Sequence, residues 1–202
     1  NIHIPKGNIK ESEIEKHCVE YEKKIEKVGG IDLQLLGIGR NGHIGFNEPG
    51  SLESSITRKV TIDNKTRIDA SHELGGIENV PKQAISMGIN TILNATKIIL
   101  IAWGENKRKA IKKTVEENIN DLIPASFLQN HNNTQFILDN ESASSLNRFT
   151  CPWMYTDIRN HLSKILSSGK VGWDKKLIKK AVIWLSIKKK KPILLLTNKD
   201  YH

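Results

Sequence analysis

Between residues 11 and 30 the apolar positions Ile14, Cys18, Tyr21, Ile25 and Val28 recur at steps of three or four, with charged residues between them. That period puts them on one face and predicts a helix, ended by Gly29 and Gly30. The run 31-IDLQLLGIG-39 is apolar without such a period and suits a short buried strand. Residues 56-ITRKVTI-62 alternate and are β-branched, which predicts another strand, and a short helix is expected over 64–72, before Gly75 and Gly76. From Pro81 a helix is predicted with Ala84, Ile85, Gly88, Ile89, Ile92 and Leu93 on one side, since proline suits a first helical turn. The run 97-KIILIAWG-104 is apolar up to Gly104 and predicts a strand. A helix over about 105–118, a strand at 134–139 and a short helix at 141–147 follow. Strands alternating with helices argue for an α/β fold with a parallel, doubly wound sheet flanked by helices.

After residue 148 the pattern changes. Pro152, Trp153 and Trp173 flank a helical pattern near 156–167, and Leu177, Ile178, Ala181, Trp184 and Leu185 predict a helix over 174–187. The basic run 188-KKKK-191 then leads to 192-PILLLT-197, a strand or docking segment. Two parts are therefore expected: an α/β domain over 1–148 and a largely helical extension or linker over 149–202.

Composition narrows the class. At 38% hydrophobic and 26% charged residues the chain is globular, and no apolar run approaches the ~18 residues of a membrane span. The opening 1-NIHIPKGN-8 has no charged segment ahead of an apolar stretch, so no signal peptide is expected. The chain does not begin with Met, and a piece of a longer protein is expected. Two cysteines, Cys18 and Cys151, fit a reduced, cytoplasmic setting better than a disulfide scaffold. The net charge of +9 leans on the tail, and aromatic residues, 5% of the chain, are not interleaved with the basic runs. A nucleic-acid partner is therefore not expected, nor a membrane; an anionic small substrate would benefit from the positive field.

The candidate chemistry lies in 37-GIGRNGHIGFNEPG-50, where five glycines surround one imidazole, His43, and one carboxylate, Glu48. It follows a strand, at the carboxyl end where open α/β sheets hold their ligands. Glycines let a backbone approach a ligand closely, and an imidazole with a carboxylate nearby suits proton transfer near neutral pH. No CxxC or paired-histidine spacing offers a metal site.

This string, with the Thr57-Arg58 pair, 80-VPKQAISMGINTI-92 and the strand closing on 103-WGENK-107, resembles the glucosamine-6-phosphate deaminases over residues 1–148. The HIGFNEP core sets it apart from the related 6-phosphogluconolactonases. The tail resembles a longer branch in which a sugar de-N-acetylase-like domain follows. The resemblance implies a Rossmann-like sandwich, homo-oligomers, no cofactor or metal, and conversion of glucosamine 6-phosphate to fructose 6-phosphate and ammonia. By the same resemblance His43 opens the sugar ring, Glu48 orients it, and Asn41 stands where other members carry Asp. Gly37, Gly39 and Gly45 line the substrate, Lys107 and His72 fall at phosphate-binding positions, and Arg58 at that of an effector-binding arginine. Val60 takes the place of a second effector-binding cation, and His72 that of an arginine. A Gly/Thr-rich phosphate loop and a proton-transferring Asp are implied ahead of Asn1, so turnover by the family route is expected of the longer protein and not of residues 1–202 alone. The competing reading is a catalytically silent sugar-phosphate-binding domain linked to a deacetylase, which Asn41 favours.

Overall fold

A computed structural model describes residues 2–150. The 3-10 turn Glu11–Glu13 runs into α1, Ile14–Lys27, which buries Cys18. Strand β1, Leu33–Leu36, is shorter than the apolar run that predicts it and delivers the loop 37–50. Strand β2, Arg58–Thr61, precedes α2, Asn64–Leu74. Asp63 caps α2 by accepting from the Lys65 amide at 2.8 Å, and Gly75 ends it in the left-handed region.

The helix predicted from Pro81 is corrected here. Gln83–Ser86 is a strand, β3, and only Ile89–Leu93 is helical, as α3. β3 pairs antiparallel with β2, Arg58 facing Ser86, and the two form a ribbon separate from the main sheet. Ala84 and Ile85 are intermediate in burial on a pleated surface, a pattern that a four-residue strand shares with one turn of helix. Gly88 lies between the two elements because a Cβ there would overlap the Ser55 carbonyl. Glu22 on α1 accepts from the Thr57 amide and the Thr91 hydroxyl, tying the start of the ribbon to α3.

Strand β4, Lys97–Ala102, lies at the centre of the main sheet, and β5, Thr134–Leu138, at one edge. The order is β1-β4-β5, both pairs parallel. Between them run the turn Glu105–Lys107, helix α4, Arg108–Glu116, and a seven-residue 3-10 helix, Pro124–Asn130. Helix α5, Asn140–Ala143, follows β5. Ile98 and Leu100 of β4, Ile111 of α4, Ile92 of α3 and Leu128 meet in one core, each fully or almost fully buried. Burying one such side chain is worth about 1.5–3 kcal/mol. The alternate positions of the sheet face away from that core: Leu33, Leu35 and Ile137 are each more than half exposed.

The fold class is thus α/β on a mainly parallel sheet, with an antiparallel ribbon that the alternation of elements did not predict. A division at Leu146/Asn147 separates a first unit from a second, of which only the short α-helix Asn147–Thr150 is described. The helices expected near 156–167 and 174–187, the segment 192–197 and Cys151 lie outside the described residues. Among the described residues, Cys18 is a free thiol and no helix is long and apolar enough to cross a membrane.

Candidate active site

The loop 37–50 turns back on itself at the end of β1. The Gly39 amide donates to the His43 carbonyl at 2.9 Å, and the Gly42 amide to the Gly39 carbonyl at 3.0 Å. The His43 ring folds back over Gly39, where any Cβ would overlap its Nδ1 and Cε1 atoms. Gly42 has φ +85°, a conformation that side chains disfavour, and sits against Ile123. From the other side, the Ala125 amide donates to the Gly42 carbonyl and the Gly50 amide to the Asp121 carbonyl, so the segment before and within the 3-10 helix braces both ends of the turn.

This turn brings three of the predicted residues together. Glu48 Oε2 accepts from Asn41 Nδ2 at 2.7 Å and lies 3.3 Å from His43 Nδ1. His43 Nδ1 lies 2.7 Å from Asn41 Oδ1, and the His43 amide donates to the same oxygen at 3.3 Å. An ionised carboxylate only accepts, so the Asn41 amide group must turn its NH₂ to Glu48 and its oxygen to the ring. That oxygen cannot donate, so Nδ1 carries the hydrogen and Nε2 is left with the lone pair of a neutral imidazole. The network thereby assigns the tautomer.

Glu48 is held as an anion. Its Oε1 accepts from the Asp63 amide at 3.2 Å, at the amino end of α2, where partial positive charge collects. Burial pushes its pKa up, but hydrogen bonds from His43, Thr66 and Asn41, with the charge of His43, outweigh it and hold the pKa at about 2, from an ordinary 4.5. A carboxylate whose folded pKa is depressed contributes stability above its unfolded pKa, and that contribution disappears as pH falls through the folded value. The shift corresponds to about 3 kcal/mol, lost between about pH 4.5 and pH 2. The gap in urea midpoint between Glu48→Gln and the parent chain should therefore be wide at pH 6 and narrow to a fraction of that at pH 2.5. An equal gap at both pH values would exclude Glu48 as the group responsible.

His43 lines a cleft of about 430 Å³ with Gly37, Gly39, Gly45, Thr66 and Lys107. The Lys107 ammonium donates to the Ile38 carbonyl at 2.8 Å, which leaves two donors. Burial lowers its pKa, and the charge of Asp69 opposes that effect. Arg40 donates to both Asp69 carboxylate oxygens through Nε and Nη2, which ties the loop to α2 beside the cleft. An adjoining cleft of about 470 Å³ shares Gly37, Ile38 and Lys107 and is walled by the exposed Trp103.

Two predicted residues fall elsewhere. His72 is exposed on α2, off the helix face that lines the cleft through Thr66, Asp69, Ala70 and Glu73. Arg58 donates to Asn47 Oδ1 at 2.8 Å and to Ser51 Oγ at 3.2 Å, and lines a different cleft from His43. Sequence reasoning missed Thr66, whose hydroxyl lies 3.2 Å from His43 Nδ1, and the Arg40–Asp69 pair. The helical spacing of 66, 69, 70 and 73 was the one signal available, since such positions share a face. Among the described residues, no group of three or more His, Cys, Asp or Glu could hold a metal ion.

A profile of the family described as glucosamine-6-phosphate isomerases/6-phosphogluconolactonase matches residues 1–137. A glucosamine-6-phosphate deaminase-like protein of Bacteroides thetaiotaomicron is 47% identical over all 202 residues, 28% of its own length. The glucosamine-6-phosphate deaminase of Clostridium novyi is 54% identical over 146 residues, which cover 72% of this chain and 60% of that protein. A solved structure of a monomeric glucosamine-6-phosphate deaminase aligns with a TM-score of 0.68 at 43% identity, over 71% of this chain and 58% of that one. The chain thus spans about 60% or less of the length of these relatives.

Proposed function

Because the chain belongs to the glucosamine-6-phosphate isomerase/6-phosphogluconolactonase family, we propose that the protein acts as a glucosamine-6-phosphate deaminase, releasing ammonia and forming fructose 6-phosphate. The observation that carries this reading is the His43–Asn41–Glu48 network, closed within 3.3 Å beside Lys107. His43 Nε2, with its lone pair free, takes the proton of the anomeric hydroxyl and returns it to the ring oxygen as the C–O bond to that oxygen breaks and the ring opens. Glu48 balances the positive charge that the imidazole gains when it takes a proton. The two remaining Lys107 donors, with the backbone of Gly37, Gly39 and Gly45, hold the anionic sugar phosphate in the cleft.

Asn41 is an orienting group in this scheme. It divides the work with Glu48: the amide fixes the tautomer and the carboxylate supplies the charge. Asn41→Asp would set a second carboxylate beside Glu48 Oε2, where Asn41 Nδ2 now donates at 2.7 Å, and like charges so close raise the pKa of one of the pair. Ammonia release is therefore expected not to rise in Asn41→Asp, and the Glu48 titration to move up. A large gain in rate would instead mark the site as a degraded one. Saturable binding of glucosamine 6-phosphate without ammonia release by the longer protein would favour the silent sugar-phosphate-binding reading.

A cytoplasmic setting agrees with the buried thiol of Cys18 and a phosphorylated substrate. For assembly, the 43% identical relative supports a monomer over the homo-oligomer that the resemblance implies.

A further inference from the structure

The ladder pair Arg58–Ser86 of the β2–β3 ribbon touches two consecutive residues of the reactive loop. Ser86 Oγ accepts from the Phe46 amide at 3.0 Å. Opposite it, Arg58 donates to the side chain of Asn47. Asn47 is fully buried and donates to the Ile44 carbonyl at 2.9 Å and the Met87 carbonyl at 2.8 Å. Its side chain therefore spends both donors on backbone and its oxygen on Arg58. The second arm of the guanidinium reaches Ser51, whose amide donates to the Glu48 carbonyl at 3.0 Å. Glu48 lies between these two anchor points, at 47 and 51, and its carboxylate depends on their spacing to reach Asn41 and His43.

We propose that Arg58 is a positioning residue: through Asn47 and Ser51 it holds the bend that presents Glu48 to Asn41 and His43. The guanidinium makes these contacts within the chain at the edge of a cleft of about 440 Å³ that it lines with Phe46 and Pro49. A planar fork suits this task, because two contacts in fixed geometry set both sides of a bend and a single ammonium cannot. The inference rests on the reading of loop 37–50 as the active site, but its test does not require turnover.

The carboxyl titration of Glu48, followed by carbon-13 NMR on the whole chain, reads the bend directly. Arg58→Met is expected to raise the Glu48 midpoint by about one unit or more, as its hydrogen bonds lengthen. Asn47→Ala keeps the Arg58 charge and the Ser51 contact, so it should raise the midpoint by less, and the double variant should fall short of the sum of the two. In the same variants of the longer protein kcat for ammonia release should fall at least tenfold with KM little changed. Should Arg58→Met fail to fold, Arg58→Lys, with one contact in place of two, is expected to show an intermediate midpoint. An unmoved Glu48 midpoint in a folded Arg58 variant overturns the proposal, as does a strictly additive double variant, which would mean a direct charge effect. A longer protein without turnover would count against the deaminase reading and leave the titration outcome to decide the clamp.

Discussion

On the proposed deaminase reading, replacing His43 with glutamine in the longer protein is expected to lower ammonia release from glucosamine 6-phosphate by about 10²–10⁴-fold, the range for a lost acid–base group. Glutamine fills a similar volume and its amide can still meet Asn41, but it neither takes nor gives a proton near neutral pH. The loss should fall on kcat, since Lys107 and the loop glycines remain to hold the phosphorylated sugar. The rate that survives should lose the pH dependence contributed by the imidazole. Thermal stability should fall modestly at neutral pH, because the His43 hydrogen bond and charge are among the causes that hold the Glu48 carboxyl low. A variant with unchanged kcat and a raised KM would assign His43 to binding alone.

Gly39→Ala is expected to have an effect of similar size by a different route. The added methyl would occupy the space of the His43 ring atoms Nδ1 and Cε1. A ring can rotate away, so the cost to the fold should be about 1–3 kcal/mol, as for other overpacked sites. Rotation removes Nδ1 from Asn41 and Glu48, and with it the fixed tautomer. The rate should fall about 10²-fold or more, while urea unfolding remains cooperative. Rate loss with a restored urea midpoint in a second-site stabilised background would separate the two effects. If the Gly39→Ala rate matched the parent, the folded-back ring would have no part in turnover.

Much of the centre could be read in the sequence because it is local. Asn41, His43 and Glu48 lie within eight residues, and a bend among glycines can bring them together with no knowledge of the rest of the chain. Strand β4 was equally legible, as five apolar residues in succession after Lys97, enough to sit at the middle of a sheet. What escaped reading depends on long separations. Thr66 reaches His43 across 23 residues, Arg40 reaches Asp69 across 29, and Ser86 reaches Phe46 across 40. No period along the chain reports such meetings. The segment from Pro81 was misread for a related reason: four residues carry too little pattern to tell pleat from helix, and pairing with β2 decided the outcome. The helix Pro124–Asn130 left no trace because Pro124, Ala125, Ser126, Phe127 and Leu128 are buried in succession, which erases the polar side of the stripe.

The ribbon that carries Arg58 and Ser86 belongs to neither neighbour of β4, and two strands alone are marginal in water. Its release from the loop would be a sub-global opening, with the hydrophobic centre still closed. On warming, the protein would thus fall silent while its spectroscopic signature stayed native, as two populations separated by far less free energy than full melting requires.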